Sequence, residues 1–410
     1  MVKNENVDLL KPGLQGVRVL LGVTGSIAAY KAAEWVRALI KEEAIVTVMM
    51  TSASQRFVAP LTFAALSGNR VYHDMFEDDQ EGVMAHINLS RDNDVVLVAP
   101  ATAQTMVRLS QGMADDLIST TVLAAKKPIV VCPAMNTNMF AHPATQESIN
   151  KLENFGYHVV APDSGSLACG EIGDGRLPEW DVAREKILQV LCPDDLVGQN
   201  IVITAGPTRE AIDPARYLTN RSSGKMGYAL ARAATRRGAV VTLISGPVNL
   251  PAPPGVNIVR VQSAQEMEKE VVSHAVKASV VIKAAAVADY RPLVEQHHKI
   301  KKKADNFTLE LVKNNDILAR LGKERKGQQL LVGFAAESEN HQQEGLRKLT
   351  EKNVDLIVVN DILGNKTGFD VETNQVTLID RTTVCQLPLL SKEGTANQIL
   401  NKVLELLLAR

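Results

Sequence analysis

Short, uniformly apolar runs rich in Val and Ile recur along this chain, and most end in Gly, Ser, Thr, Pro or Asn before a helical pattern begins. Residues 17–23, 45–50, 94–99, 128–132 and 158–161 are such runs in the first half. Residues 200–205, 239–245, 256–261, 279–284, 330–334 and 354–360 repeat the pattern in the second. A strand apolar on both faces must be covered on both, and the helical stretches between the runs supply that cover. The pattern predicts an α/β protein of two doubly wound, Rossmann-like parallel-sheet domains. Residues 307–312 alternate more, which predicts an antiparallel excursion, and residues 393–408 close the chain as an apolar-striped helix.

Helical periodicity fades near Leu191, and Cys192-Pro193-Asp194-Asp195 intervenes before the next run. This seam predicts domains over residues 1–190 and 191–410, and a chain of 410 residues exceeds one ordinary core. The halves share no repeat at the motif level, which predicts two different enzymes fused rather than a duplication. A net charge of -1 offers no general field for nucleic acid or a membrane surface. No apolar run reaches the roughly 18 residues needed to span a bilayer. Residues 1–11 are polar, without a signal-peptide core, and the four cysteines lack metal-type spacing, so a reducing cytoplasm is expected.

In an open parallel sheet, ligands belong at the carboxyl ends of the strands. Thr24-Gly25-Ser26 follows the first run and opens a helix, where backbone N–H groups and a hydroxyl suit a phosphate; a plain turn reads equally well from this segment alone. Thr51-Ser52-Ala53-Ser54 and Ala99-Pro100-Ala101-Thr102 add hydroxyls to the same edge. Each alone reads as an N-cap, and together with Gly25-Ser26 they point to a mononucleotide phosphate. Next comes Pro133-Ala134-Met135-Asn136-Thr137-Asn138-Met139-Phe140, an Asn that can donate to a carboxylate flanked by soft Met contacts, or else an Asn-rich turn with gap-filling Met. Residues 163–176 surround Cys169 with glycines, a composition that predicts a flexible lid over substrate.

Gly25-Ser26-Ile27-Ala28-Ala29-Tyr30-Lys31, His86-Ile87, Ala99-Pro100-Ala101-Thr102-Ala103, Pro133-Ala134-Met135-Asn136 and Ala168-Cys169-Gly170 occur in that order. The set resembles the flavin-dependent cysteine decarboxylase family that acts on phosphopantothenoylcysteine, over about residues 15 to 185. The resemblance implies an FMN site drawn from Gly25, Ser26, Thr51, Ser52, Ala99, Thr102 and Met135. It implies that FMN provides the electron sink for loss of CO2 by oxidising the thiol side to a thioaldehyde. His86 matches the family's essential histidine (base or electrostatic partner), Asn136 the residue holding the substrate carboxylate, and Cys169 the final proton donor. Phe140 stands where the family more often has Trp. Cys132, inside a run, reads as core.

In the second half, Ser222-Ser223-Gly224-Lys225-Met226-Gly227 invites a P-loop reading and fails it, because Thr219 and Met226 stand where Gly and Ser or Thr are required. Such a loop still suits a phosphate, and tight helix–sheet packing is its plainer explanation. Gly206-Pro207-Thr208-Arg209, Ile212-Asp213-Pro214, Arg216-Tyr217-Leu218-Thr219-Asn220, the Ala284–Pro292 segment, Lys299-Ile300-Lys301-Lys302, Asn314-Asn315-Asp316-Ile317 and Val332-Gly333-Phe334 follow one another. This set resembles phosphopantothenate–cysteine ligase of the bacterial, CTP-using type, over roughly residues 195 to 405.

That resemblance implies activation of 4'-phosphopantothenate by CTP as an acyl-cytidylate, displacement of CMP by cysteine, and Mg2+ with the triphosphate. Lys299 matches the catalytic lysine and Asn220 the residue contacting the acyl intermediate. Lys283, Ala284, Ala285, Asp289, Lys299, Asn315, Asp316, Ile317, Leu318, Phe334, Lys348 and Lys352 fall at CTP-contact positions. Lys348 and Lys352, one turn apart on a predicted helix, are expected to reach one triphosphate. Lys301 to Lys303 also read as a solvated loop. The family arrangement further implies a homo-oligomer, trimeric through the flavin domains and dimeric through the ligase domains. Three other readings stand beside this one: a fusion with one silent half, a non-enzymatic flavoprotein, and an NAD(P)-linked dehydrogenase, which the lack of GxGxxG after either first strand disfavours.

Overall fold

The computed structural model describes residues 13–75, 85–301, 308–325, 327–337, 341–361 and 371–410. Lys302, Lys303 and Phe307, named above, lie outside the described residues. The chain divides into two units, Gly13–Cys192 and Pro193–Arg410.

The first unit runs β1 (Arg18–Val23), α1 (Ala29–Lys41), β2 (Ile45–Met50), α2 (Pro60–Ser67), β3 (Val71–Tyr72), α3 (Ala85–Arg91) and β4 (Val95–Ala101). It continues through α4 (Ala103–Gln111), α5 (Leu117–Ala124), β5 (Ile129–Pro133), α6 (Thr137–Ala141), α7 (Pro143–Asn154), β6 (His158–Val159), β7 (Asp163–Ser166), β8 (Ile172–Arg176) and α8 (Trp180–Leu191). Six strands form one sheet in the order β3-β2-β1-β4-β5-β6, all pairs parallel. Period-2 alternation feeds two cores. Val19, Leu21 and Val23 of β1 pack in one with α1 and α8, while Leu20 packs in the other with α4 and α5. The chain winds outward from β1 to β3 and returns at β4, so the switch point lies between β1 and β4, where such sheets open a crevice.

The glycine-rich stretch around Cys169 is not a bare loop. β7 and β8 pair antiparallel as a hairpin outside the sheet, joined by a turn closed by Leu167 N to Glu171 O (2.8 Å) and Gly170 N to Leu167 O (2.9 Å). Glycine hides such strands from propensity, because it has no side chain to favour a pleated face.

The second unit begins with β9 (Asn200–Ala205), β10 (Arg209–Asp213), β11 (Arg216–Thr219), α9 (Lys225–Arg236), β12 (Val240–Ser245), β13 (Asn257–Arg260), α10 (Ala264–Ala275) and β14 (Val280–Lys283). Then come β15 (Tyr290–Pro292), β16 (Leu311–Lys313), α11 (Ile317–Glu324), β17 (Leu330–Glu337), α12 (His341–Glu351) and β18 (Leu356–Asp361). It closes with β19 (Thr373–Asn374), β20 (Val376–Asp380), β21 (Val384–Gln386), β22 (Leu390–Ser391) and α13 (Lys392–Leu408). The main sheet has the order β13-β12-β9-β14-β17-β18-β20-β21.

The first six of these strands are parallel, as the apolar runs predict, and β20 and β21 extend the edge antiparallel, which the all-parallel expectation omits. The excursion expected near residue 307 is β16, paired antiparallel with β15. A second hairpin, β10–β11, is polar and has no signal in the apolar pattern. Under one face of the sheet, Arg237 is 1% exposed and donates to both carboxylate oxygens of Asp195 (2.7 Å each) and to Asn401 Oδ1 of α13 (2.8 Å). A guanidinium this deeply buried is tolerable only because its donors are taken. No helix among the described residues is long and apolar enough to cross a membrane.

Candidate active sites at the carboxyl edges of the two sheets

In the first unit, hydrogen bonds stitch the loops beyond β1, β2, β4 and β5 into one continuous rim. Thr24 Oγ1, fully buried, donates to Pro100 O (2.6 Å) and accepts from Thr102 N (3.0 Å), tying the β1 loop to the β4 loop. Thr51 N donates to Val23 O (3.1 Å), Ala134 N to Ala101 O (3.0 Å) and Met135 N to Gly175 O of the hairpin (2.9 Å). Gly25, Ser26, Thr51, Ser52, Ala99, Thr102, Met135 and Asn136 therefore share one edge.

A cavity of about 590 Å³ opens there, and its lining includes Ser26, Tyr30, Lys31, Met135, Asn136, Cys169 and Arg176. Gly25, Thr51, Ser52, Ala99 and Thr102 lie on the rim but outside the lining. Thr102 caps α4 through Thr105 N (3.3 Å), and Thr51 Oγ1 accepts from Ser54 N (3.2 Å). The Ala99 side chain is buried in the core, so only its backbone could face a ligand. His86, near the start of α3, is partly buried and is not among the lining residues.

The hairpin seats against this edge by extreme closeness. Gly175 has φ +146°, and a Cβ there would stand 2.2 Å from Met135 O. Only glycine allows that approach. Seated this way, the turn between β7 and β8 brings Cys169 to Asn136. Asn136 caps α6 with Oδ1 accepting from Asn138 N (2.8 Å), which turns its amide nitrogen outward. That Nδ2 donates to Glu171 Oε2 (2.5 Å) and to Cys169 Sγ (3.4 Å), and the thiol lies 3.8 Å from the same carboxylate oxygen. Glu171 is the residue that sequence reasoning missed: one exposed acid in a Gly-rich turn carries no pattern.

The residues suit a flavin mononucleotide. Ser26 and the start of α1 offer hydroxyl and backbone donors to a phosphate, Met135 gives soft apolar contact, and the volume lies in the ordinary range for a small-ligand site.

In the second unit, buried hydroxyls anchor the segment after β14. Thr204 Oγ1 accepts from Ala285 N (3.1 Å), and Thr208 Oγ1 from Ala288 N (3.0 Å). Asn220 Nδ2 donates to Ala286 O (3.2 Å) and Val287 O (3.1 Å), leaving its oxygen as the group it offers outward. Asn314 N reaches Asp289 O (2.8 Å), and Asn315 Nδ2 reaches Glu268 Oε2 (3.0 Å). Asn220, Ala284, Asp289 and Asn315 are thus knit around the carboxyl end of β14.

Lys283, the last residue of β14, is partly buried, and burial lowers its ammonium to about 8, against the pull of Asp316. Burial raises the Asp316 carboxyl, but the Ala319 amide and Lys352 outweigh it and leave the group below its ordinary value. Lys352 Nζ lies 3.0 Å from Asp316 Oδ2. Lys348 lies on α12 and Lys352 directly follows its last residue, Glu351, one turn on with its N–H on Lys348 O (3.1 Å), while its Nζ turns to Asp316. Ile317 and Leu318 are core residues of α11, at 1% and 3% exposure, so any ligand contact there belongs to their backbone. Phe334 on β17 is partly buried against the core.

Lys299 is exposed on a loop that is itself held. Asp213 Oδ2 accepts from Ile300 N (3.1 Å), and Arg216 Nη2 donates to Ile300 O (3.2 Å) while pairing with Asp213. Packing accounts for Gly227, in the first turn of α9, since a Cβ there would lie 2.5 Å from the Ala205 Cβ of β9. Among the described residues, no group of three or more His, Cys, Asp or Glu could hold a metal ion.

Residues 10–192 match the flavoprotein family, and residues 196–407 match the DNA/pantothenate metabolism flavoprotein C-terminal domain. The chain is similar to the coenzyme A biosynthesis bifunctional protein CoaBC of Vibrio parahaemolyticus, 46% identical over 396 residues that cover 96% of this chain and 99% of that protein. It is equally similar to the protein of that name from Bacillus subtilis, 46% identical over 395 residues covering 95% and 97%. A solved C-terminal domain of a protein so named is 45% identical, covering 53% of this chain and 100% of its own, with a TM-score of 0.46.

Proposed function

The chain belongs to the family of bifunctional coenzyme A biosynthesis proteins, and on that premise we propose that its halves catalyse consecutive reactions. The second unit joins cysteine to 4'-phosphopantothenate at the expense of CTP. The first removes CO2 from the resulting 4'-phosphopantothenoylcysteine to give 4'-phosphopantetheine. The observation that carries the reading is the cavity shared by Ser26, Met135, Asn136 and Cys169, beside the seated hairpin. The four free cysteines suit a reducing cytoplasm, and the family arrangement suits a homo-oligomer.

When bound, FMN supplies the electron sink that loss of a carboxylate from cysteine requires. The protein's part is binding and proton management. The outward Asn136 amide holds the carboxylate, and the Cys169 thiol, 3.4 Å from that amide, delivers the proton that completes the product. The hairpin covers the site from water. His86 serves as base or electrostatic partner.

In the second unit, the carboxylate of phosphopantothenate attacks the α-phosphate of CTP, pyrophosphate leaves, and the amine of cysteine then displaces CMP. Negative charge gathers at both steps, so cations and oriented amides are what the site must offer. Lys299, on the loop held by Asp213 and Arg216, neutralises charge on the acyl phosphate, and Asn220 orients the acyl group. Lys283, Lys348 and Lys352 face the triphosphate, whose Mg2+ enters bound to phosphate oxygens and water.

Two variants separate the halves. Cys169→Ser is expected to take up substrate and release CO2 yet deliver the unsaturated thiol instead of phosphopantetheine. Lys299→Gln is expected to abolish CMP release while decarboxylation of supplied phosphopantothenoylcysteine stays at the wild-type rate. Chromatography of the two product mixtures checks both. Normal phosphopantetheine from Cys169→Ser, or loss of both activities in Lys299→Gln, contradicts the assignment.

A further inference from the structure

Glu171 is out of place in a site that must receive a carboxylate. Asn136 presents only its amide nitrogen to the cavity, because Oδ1 is committed to capping α6 through Asn138 N (2.8 Å). The partner of that nitrogen at 2.5 Å is a carboxylate oxygen of the chain itself. No lysine or arginine among the described residues pairs with Glu171, so its contacts are the Asn136 amide and, at 3.8 Å, the Cys169 thiol. The turn that carries it is closed by its own backbone bonds, Leu167 N to Glu171 O and Gly170 N to Leu167 O. The side chain can therefore swing away while the turn keeps its shape, and Glu171 is exposed to solvent.

We infer that Glu171 is a resident carboxylate that occupies the Asn136 amide until the substrate's carboxylate displaces it, and that returns once CO2 has left. The inference rests on reading Asn136 as the holder of the substrate carboxylate. The two N–H donors of the Asn136 amide already go to Glu171 Oε2 (2.5 Å) and Cys169 Sγ (3.4 Å), and two carboxylates side by side on one nitrogen disfavour each other's ionised form. Binding of a carboxylate ligand must first expel Glu171, and the apparent affinity falls by the fraction of time the amide is occupied. A decarboxylated ligand meets no such competition, since it has nothing to place on the amide. Glu171 thus weakens substrate binding selectively. It also keeps the donor partnered in the empty site, and it stops the product's vacated position from trapping a second carboxylate.

The test uses two probes that cannot be turned over: the amide of 4'-phosphopantothenate with alanine, which keeps the carboxylate but lacks the thiol, and the amide with ethylamine, which lacks both. Calorimetric titration of each into the full-length, flavin-loaded protein is compared with Glu171→Ala and Glu171→Gln. The preference for the alanine amide over the ethylamide is expected to rise about tenfold in Glu171→Ala, and by a smaller factor in Glu171→Gln. The ethylamide's Kd is expected to stay within about twofold throughout. An unchanged or reduced preference in Glu171→Ala overturns the inference and leaves the Asn136 reading standing. Absence of any preference for the carboxylate in all three proteins overturns the Asn136 reading itself, and this inference with it. Equal melting temperatures for the three proteins confirm that the variants are folded.

Discussion

Lys283 carries a pH signature. Burial lowers its ammonium to about 8 from the ordinary 10.5, so the unfolded chain holds that proton more tightly than the folded one. The stability cost of the buried charge is therefore complete below about pH 8 and fades as pH rises from about 8 towards 10.5. Lys283→Met should melt higher than wild type at pH 7, with the gain shrinking by pH 10. If Lys283 faces the triphosphate as proposed, the same substitution should also raise the KM for CTP several-fold. Melting curves at the two pH values and nucleotide titrations check the two halves of the prediction. Asp213 acts at one remove: Asp213→Ala frees the backbone of Ile300 beside Lys299. We expect ligation to slow by at least about tenfold, equivalent to about 1.4 kcal/mol of barrier, with decarboxylation unaltered. Product assays on the separate half-reactions decide it. The Asp-Pro-x-Arg spacing was visible in the sequence; that its purpose is to grip a loop more than 80 residues away was not, because pairing at that range leaves no local pattern.

At the scale of elements, the hairpin is the most exposed to test. Placing a Cβ on Gly175, 2.2 Å from Met135 O, must push the hairpin off the Asn136 loop. Gly175→Ala should keep its bound flavin absorbance, lose decarboxylation by more than about tenfold, and leave CMP release intact. Loss of the flavin together with the activity would mean instead that the hairpin is part of the cofactor's seat. In the second unit, removing the Asp195 carboxylate leaves Arg237 buried without its charge partner. Asp195→Ala should cost about 3 kcal/mol, which for a unit of this size lowers Tm by roughly 6–12 °C by calorimetry. Parallel strands such as β1, β2, β9 and β12 were legible within a residue or so, because burial on both faces demands unbroken apolar runs. The hairpins β7–β8 and β10–β11 and the antiparallel strands β20 and β21 were not. The two hairpins are broken up by glycine or charged residues, and β21 is three exposed residues, so neighbours rather than propensity decide their pairing. β20, Val-Thr-Leu-Ile-Asp, is a short buried apolar run whose antiparallel pairing its composition does not announce.

Across the whole molecule, two independently cored α/β units each gather candidate site residues at the carboxyl edge of a parallel sheet, the edge to which the Gly-, Ser-, Thr- and Asn-rich turns had already pointed. What the turns left undecided was which of those residues reach a cavity. Ser26, Met135, Asn136 and Cys169 do, while Thr51 and Thr102 brace or cap the rim and Ser52 is exposed on it. The central claim is that one chain carries both reactions. Purified protein incubated with 4'-phosphopantothenate, cysteine, CTP and Mg2+, its products read by mass spectrometry, tests that claim most directly. Phosphopantetheine and CMP appearing together in equal amounts is the predicted result. CMP with phosphopantothenoylcysteine accumulating in flavin-replete protein would contradict the decarboxylase half, and no CMP at all would contradict the ligase half.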